Sequence, residues 1–144
     1  MQKQAGFSLI EMLIVVAIIL ILTAIAILNL LRSRIAANEA SAVGSLRAIN
    51  SAEITYQTTY PDLGFTSLSS LGGAGLLDSV LAVGAKSGYS FALTSSGSSP
   101  ATGYTVTGSP STPGSTGQRY FFTDQSGVIR QDASTVATAS STPL

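Results

Sequence analysis

Ala5-Gly6-Phe7-Ser8-Leu9-Ile10-Glu11, running directly into an apolar stretch that ends at Leu31, decides the reading of this chain. From Met12 to Leu22 every residue is apolar, and Thr23 and Asn29 are the only polar side chains from there to Leu31. As a helix at ~1.5 Å per residue, Phe7–Leu31 spans about 37 Å, enough to cross a bilayer core of about 30 Å. Glu11 is the one charge inside that span. A charged side chain at mid-membrane costs roughly 2.5–3.5 kcal/mol even on translocon-derived scales, so a chain that keeps one is expected to give it a partner.

The totals narrow the remaining choices. At 144 residues the chain is one domain's worth, with seven basic and seven acidic residues in balance. No basic face stands out, so nucleic acid is not an indicated ligand. Cysteine and histidine are absent, which excludes disulfides, thiol catalysis and the usual zinc sites. Composition is uneven. The apolar excess sits in the N-terminal run, and Ser, Thr and Gly dominate from about Ser67 onward. The residues beyond that run suffice for only a modest core, held by packing or by assembly with neighbours.

Three ordinary readings of the N-terminal segment compete. A cleaved secretory signal has a shorter apolar region followed by a small-x-small site. Thr23-Ala24-Ile25-Ala26 holds a weak version of that site, but the apolar pattern continues past it. A plain membrane anchor fits the length and leaves Glu11 unexplained. A buried core helix of this length does not suit so small a domain.

A fourth reading comes from resemblance. Gly6-Phe7-Ser8-Leu9-Ile10-Glu11 resembles the processing site of class III signal peptides, those of type IV pilins and type II secretion pseudopilins. The elements are a short leader with a basic residue (Lys3), Gly before the cut, Phe after it and Glu at the fifth mature position. The likeness is close over about the first 35 residues. It implies that a prepilin peptidase cleaves between Gly6 and Phe7 and methylates the new Phe7 amine. Cleavage would remove Lys3 and create a positive amine four residues before Glu11. Pairing the two would offset much of the desolvation cost of each. In the family's assembly scheme the Phe7 amine of an incoming subunit pairs with Glu11 of a neighbour, so Glu11 sets the register between helices.

Orientation rests on the resemblance, since Lys3 on one side and Arg32 and Arg34 on the other leave the positive-inside rule undecided. The leader is then cytoplasmic and Arg32 onward lies outside. Many relatives carry Gly and Pro within the apolar segment, where this chain has Leu20 and Leu28. Relative to Ala, Gly costs about 1 and Pro about 3 kcal/mol inside a helix, whereas Leu is nearly neutral. The helix is therefore expected to be more continuous than in proline-bearing relatives.

Beyond Arg32 the helix is expected to continue to Tyr60, before Pro61. Ile35, Ala42, Val43, Leu46, Ile49 and Ile54 recur at helical spacing. Glu39 and Glu53 fall within the same sector of the wheel, and Gly44 interrupts it. The plain reading is a helix packed on a sheet along one side and solvated elsewhere. A functional reading pairs these carboxylates with Arg32 or Arg34 of adjacent subunits. Ser67 is a candidate cap for Leu68–Leu71, and Leu76, Leu77, Val80 and Leu81 form a face able to fold back on the helix. From Gly88 the pattern turns to strands: Tyr89, Phe91 and Leu93 alternate with polar or small residues, as do Tyr104 and Val106. Arg119–Thr123 and Gly127–Gln131 follow, with Asp124-Gln125-Ser126-Gly127 as a hairpin loop.

The expected fold is α+β, a long N-terminal helix packed against an antiparallel sheet of three to four strands. The expected divisions are a leader at 1–6, an apolar assembly helix at 7–31 and its amphipathic continuation at 32–60. A loop with short helices at 61–87, the sheet at 88–131 and a flexible tail at 132–144 complete the chain. Ser/Thr/Gly/Pro-rich stretches read as exposed loops, or alternatively as glycosylated or adhesive surface. Asp124 and Asp132 fall short of the six to eight oxygens calcium takes, so no metal and no cofactor is expected. No catalytic constellation is visible, and the chain reads as a non-enzyme.

The function the resemblance implies is a pilin subunit that polymerises into a type IV pilus serving adhesion, motility or DNA uptake. Its partners would be copies of itself, the prepilin peptidase, the inner-membrane assembly machinery and, before assembly, the membrane. It would begin in the inner membrane and end in an extracellular filament. The alternatives are a pseudopilin of a periplasmic pseudopilus and a monomeric membrane-anchored binding module.

Overall fold

A computed structural model describes residues 6–144. The leader residues 1–5, Lys3 among them, lie outside the described residues. The chain divides after Arg34 into an N-terminal unit and a second unit, Ile35–Leu144.

Helix α1 runs Leu9–Thr59 and contributes to both. It is unbroken through Leu20–Leu28, as expected of a stretch free of Gly and Pro. In the N-terminal unit every described residue is exposed. This half of α1 is long and apolar enough to cross a membrane.

In the second unit α1 buries Ile35, Glu39, Ala42, Val43, Leu46, Ile49, Asn50 and Glu53 along one face. Ile54, expected in that stripe, is 54% exposed. The physical reason is phase. From Ile49 one turn of ~3.6 residues returns the buried face to Glu53, and Ile54 lies about 100° further round. Pro61 follows the helix end, as expected.

Two short helices come next. Helix α2 (Leu68–Gly73) is capped by Ser67, whose hydroxyl accepts the Ser70 N–H at 3.3 Å. Helix α3 (Ser79–Ala82) is capped by Asp78, which accepts the Leu81 N–H at 2.8 Å. Of the apolar face expected here, Leu81 is fully buried and Val80 is exposed.

The sheet is a six-stranded antiparallel meander, β1 (Ala85–Lys86), β2 (Tyr89–Ser96), β3 (Gly103–Pro110), β4 (Tyr120–Asp124), β5 (Arg130–Asp132) and β6 (Thr142–Pro143), in spatial order β1 to β6. The α+β class and the helix-on-sheet arrangement are as expected, and the sheet is wider. The added strands β1 and β6 have two residues each, too few to show alternation. The stretch after 132, expected as a tail, returns so that Gln131 pairs Thr142 and Arg130 pairs Pro143. Ala137 is buried on the way. Composition marks such a stretch as polar but does not reveal backbone pairing.

Strands β2 and β3 pair over eight residues, from Tyr89↔Pro110 to Ser96↔Gly103. Their inward residues Tyr89, Phe91, Tyr104 and Val106 meet Ala42, Val43, Leu46 and Ile49 of α1, with Phe121 of β4 and Leu81 of α3. The β4–β5 hairpin turns as expected at Asp124–Gly127. Gly127 has φ +74°, its N–H donates to Asp124 O at 2.9 Å, and the Asp124 carboxylate accepts the Ser126 N–H.

Candidate assembly segment

Gly6 and Phe7 precede α1, and Ser8 occupies the N-cap position: its carbonyl accepts the Met12 N–H at 3.3 Å. Glu11 stands three residues on, and its Oε2 accepts the Ser8 N–H at 2.9 Å. This is the reach-back arm of a capping box, Ser-x-x-Glu. The carboxylate also lies at the positive end of the helix dipole, where negative charge is favoured. That role of Glu11 was available from the spacing Ser8-Leu9-Ile10-Glu11 and is additional to the pairing expected with an amine.

The structure thus brings Phe7 and Glu11 to one helix end. Phe7 is 76% exposed, and the apolar side chains Leu9–Leu31 that follow are exposed as well. Among the described residues, an added Cβ at Gly6 would meet nothing within 4 Å. Those residues therefore place no demand for glycine at that position. Thr23 returns its hydroxyl to the Ile19 carbonyl at 2.7 Å, which removes a polar group from the apolar surface.

Two buried carboxylates in the second unit behave differently from either reading of the wheel. Glu39 finds its cation within the chain: Arg119 Nε donates to Oε2 at 2.8 Å, while Oε1 accepts the Gln118 and Arg119 N–H groups. Burial pushes the Glu39 carboxyl up, but these hydrogen bonds and the charge of Arg119 together outweigh it and hold it below the usual carboxylate range. Among the described residues Glu53 has no such cation. Burial pushes it up to about 7, against the opposing hydrogen bond from the Thr66 N–H. Pairing with Arg32 or Arg34 of neighbours is not needed to account for Glu39.

Between them lies a buried polar chain. The Tyr104 hydroxyl donates to Asn50 Oδ1 at 3.0 Å, and Asn50 Nδ2 donates to Thr123 Oγ1 at 2.9 Å. Burial is the leading cause that raises Tyr104 to about 12. Asp124 and Asp132 each serve their own turns, Asp132 accepting from Ser134 and Thr135. Among the described residues no three acidic groups gather as a metal site.

Residues 1–27 match the family model described as the prokaryotic N-terminal methylation motif. No curated protein and no solved structure matches the chain. The motif is a class III signal peptide, so the first 27 residues are similar to those of type IV pilins and pseudopilins. Its signal and apolar helix are those of a membrane-anchored precursor. The motif implies processing by a prepilin peptidase and assembly into a pilus-like polymer.

Proposed function

We propose that the chain is a structural pilin subunit: cleaved between Gly6 and Phe7, N-methylated on Phe7, and polymerised through α1 into a surface filament. The observation that carries this reading is the junction of a prepilin motif with an apolar helical stretch, Leu9–Leu31, whose side chains lie exposed in the single chain and whose only charge is Glu11.

The physics separates what holds the filament from what directs it. Lipid tails are as apolar as leucine, so moving the Leu9–Leu31 stretch of α1 from bilayer to filament core gains little transfer free energy. Outside the membrane the same side chains would face water, at roughly 1.5–3 kcal/mol for each large one left uncovered. The filament is thus held by the hydrophobic effect and directed by charge. The new Phe7 amine of one subunit meets Glu11 of the next, because a pair in an apolar medium costs far less than either ion alone. A helix displaced by even one turn leaves both unpaired.

The test replaces Glu11 by Ala or Val in cells that assemble the protein. Membrane insertion stays normal, and sheared filament yield falls at least about tenfold, the minimum expected from loss of ~1.4 kcal/mol per added subunit. Normal filament yield from either variant overturns the reading. A pseudopilus is recognised by short periplasmic polymers that disappear with the secretion genes, and a binding module by a chain that stays monomeric with residues 1–6 attached.

A further inference from the structure

Glu53 is fully buried on α1, in a part of the second unit that the assembly reading does not use. Its Oε2 accepts the Thr66 N–H at 3.1 Å, and its Oε1 has no hydrogen-bond partner among the described residues. Among the described residues, the groups that face it bring no positive charge. From β3 comes the Tyr104 phenol, whose proton is already given to Asn50. At the end of β4 stands Asp124, a second negative group acting on the same phenol. On the loop Asp62 is exposed, and Arg47 on α1 is exposed as well. The ion pairs among the described residues are Lys86–Asp78 and Arg119–Glu39. A carboxylate here would be an uncompensated buried charge, whereas a neutral carboxyl leaves one unpaired hydroxyl, which costs less than an unpaired ion.

What Glu53 holds is a short segment. Thr66 is bonded to it, and the neighbouring Phe65 ring packs on Tyr104 with centroids 4.8 Å apart. Phe65 N–H also donates to the Ala101 carbonyl, and Ala101 N–H to that of Leu63. Opening this segment would give Glu53 water.

We propose that Glu53 is a protonation-dependent latch for residues 63–67: neutral, it keeps Phe65 and Thr66 docked on α1 and β3, and ionised, it releases them. The device is independent of whether the chain forms pili. Because Glu53 is raised to about 7 when docked and returns towards 4.5 when the segment opens, docking is favoured in acid and weakens through neutrality.

The test is amide hydrogen exchange on the full chain in detergent micelles, corrected for the intrinsic pH dependence of exchange, with carboxyl carbon NMR of Glu53 alongside. Between about pH 5.5 and 8.5, protection at Phe65 and Thr66 falls roughly thirtyfold, the ratio that linkage gives for these two values. Protection elsewhere on α1 changes far less. Glu53→Gln removes the pH dependence. A Glu53 carboxyl that titrates near 4.5 in the wild-type chain overturns the proposal whatever the variant does. So does protection at Phe65 and Thr66 that is unchanged across that range.

Discussion

Glu39 Oε2 accepts the Arg119 Nε proton at 2.8 Å across 80 residues of sequence, tying α1 to the approach to β4. The same guanidinium donates to Gln131 Oε1 of β5 and lies 5.6 Å from the centre of the Phe121 ring. One buried acid and one partly exposed base thereby join the helix to two strands.

The two ends of this pair should not be equivalent. Glu39→Gln removes the charge that three donors converge on, and should cost about 1.5–3 kcal/mol of unfolding free energy. Arg119→Ala should cost only about 1 kcal/mol, because Arg119 is 41% exposed and water screens its share. Denaturant unfolding of the two variants checks the order, and a larger loss from Arg119→Ala contradicts it.

Glu39 and Glu53 oppose each other in their pH dependence. Glu39 is held below its unfolded value of 4.5, so its stabilisation is present above that value and is lost as pH falls through the folded one. Glu53 is raised from 4.5 to about 7, so its contribution is complete below about 4.5 and is lost as pH rises through about 7. That loss is at most about 3 kcal/mol. Thermal stability should therefore peak near pH 5, and Glu53→Gln should flatten the alkaline side. A melting temperature that climbs steadily from pH 5 to 8 contradicts this.

The Tyr104–Asn50–Thr123 chain is buried and satisfied at each link. Tyr104→Phe leaves Asn50 Oδ1 without its donor and should cost about 1–3 kcal/mol. Added to Asn50→Leu, which has already removed that acceptor, the same change should cost much less. A double-mutant cycle with no coupling between the two positions would show that the hydrogen bond contributes nothing.

Gly117 lies against Tyr89. A Cβ there would press into the Tyr89 hydroxyl and come within 2.6 Å of ring atom Cε2, while Tyr89 is fully buried and its hydroxyl donates to Arg119 O. Gly117→Ala should cost at least about 2 kcal/mol through overpacking, whereas Gly114→Ala meets no neighbour and strains only its backbone. Equal melting temperatures for wild type and Gly117→Ala would contradict the packing described.

At the helix start, the capping role of Glu11 and its proposed role in assembly are separated by one substitution. Glu11→Gln keeps an oxygen able to accept the Ser8 N–H but abolishes the charge. If capping were the whole of its role, Gln would restore filament formation. The pairing account expects Glu11→Gln to assemble as poorly as Glu11→Ala while both remain helical by circular dichroism.

What was legible in the sequence was what neighbouring residues encode together. Gly6-Phe7 through Glu11, the apolar run, Pro61 and the Asp124–Gly127 turn each carry their meaning within a few positions. The wheel even placed Glu39 and Glu53 on the buried face. It left their environments open, since Arg119 for Glu39 and Thr66 for Glu53 are chosen by the sheet and loop that fold over α1. The same limit hid β6, whose two residues acquire a partner only when the chain returns to Arg130. The Ser8–Glu11 cap lay open to local reading, masked by the assembly role expected of the same glutamate.

The most direct measurement is the intact mass and N-terminal fragmentation of the subunit recovered from sheared cell-surface filaments. The account predicts the mass of Phe7–Leu144 with one added methyl group, carried on the Phe7 amine. Filament subunits that begin at Met1, or that bear an unmethylated terminus other than Phe7, would contradict it.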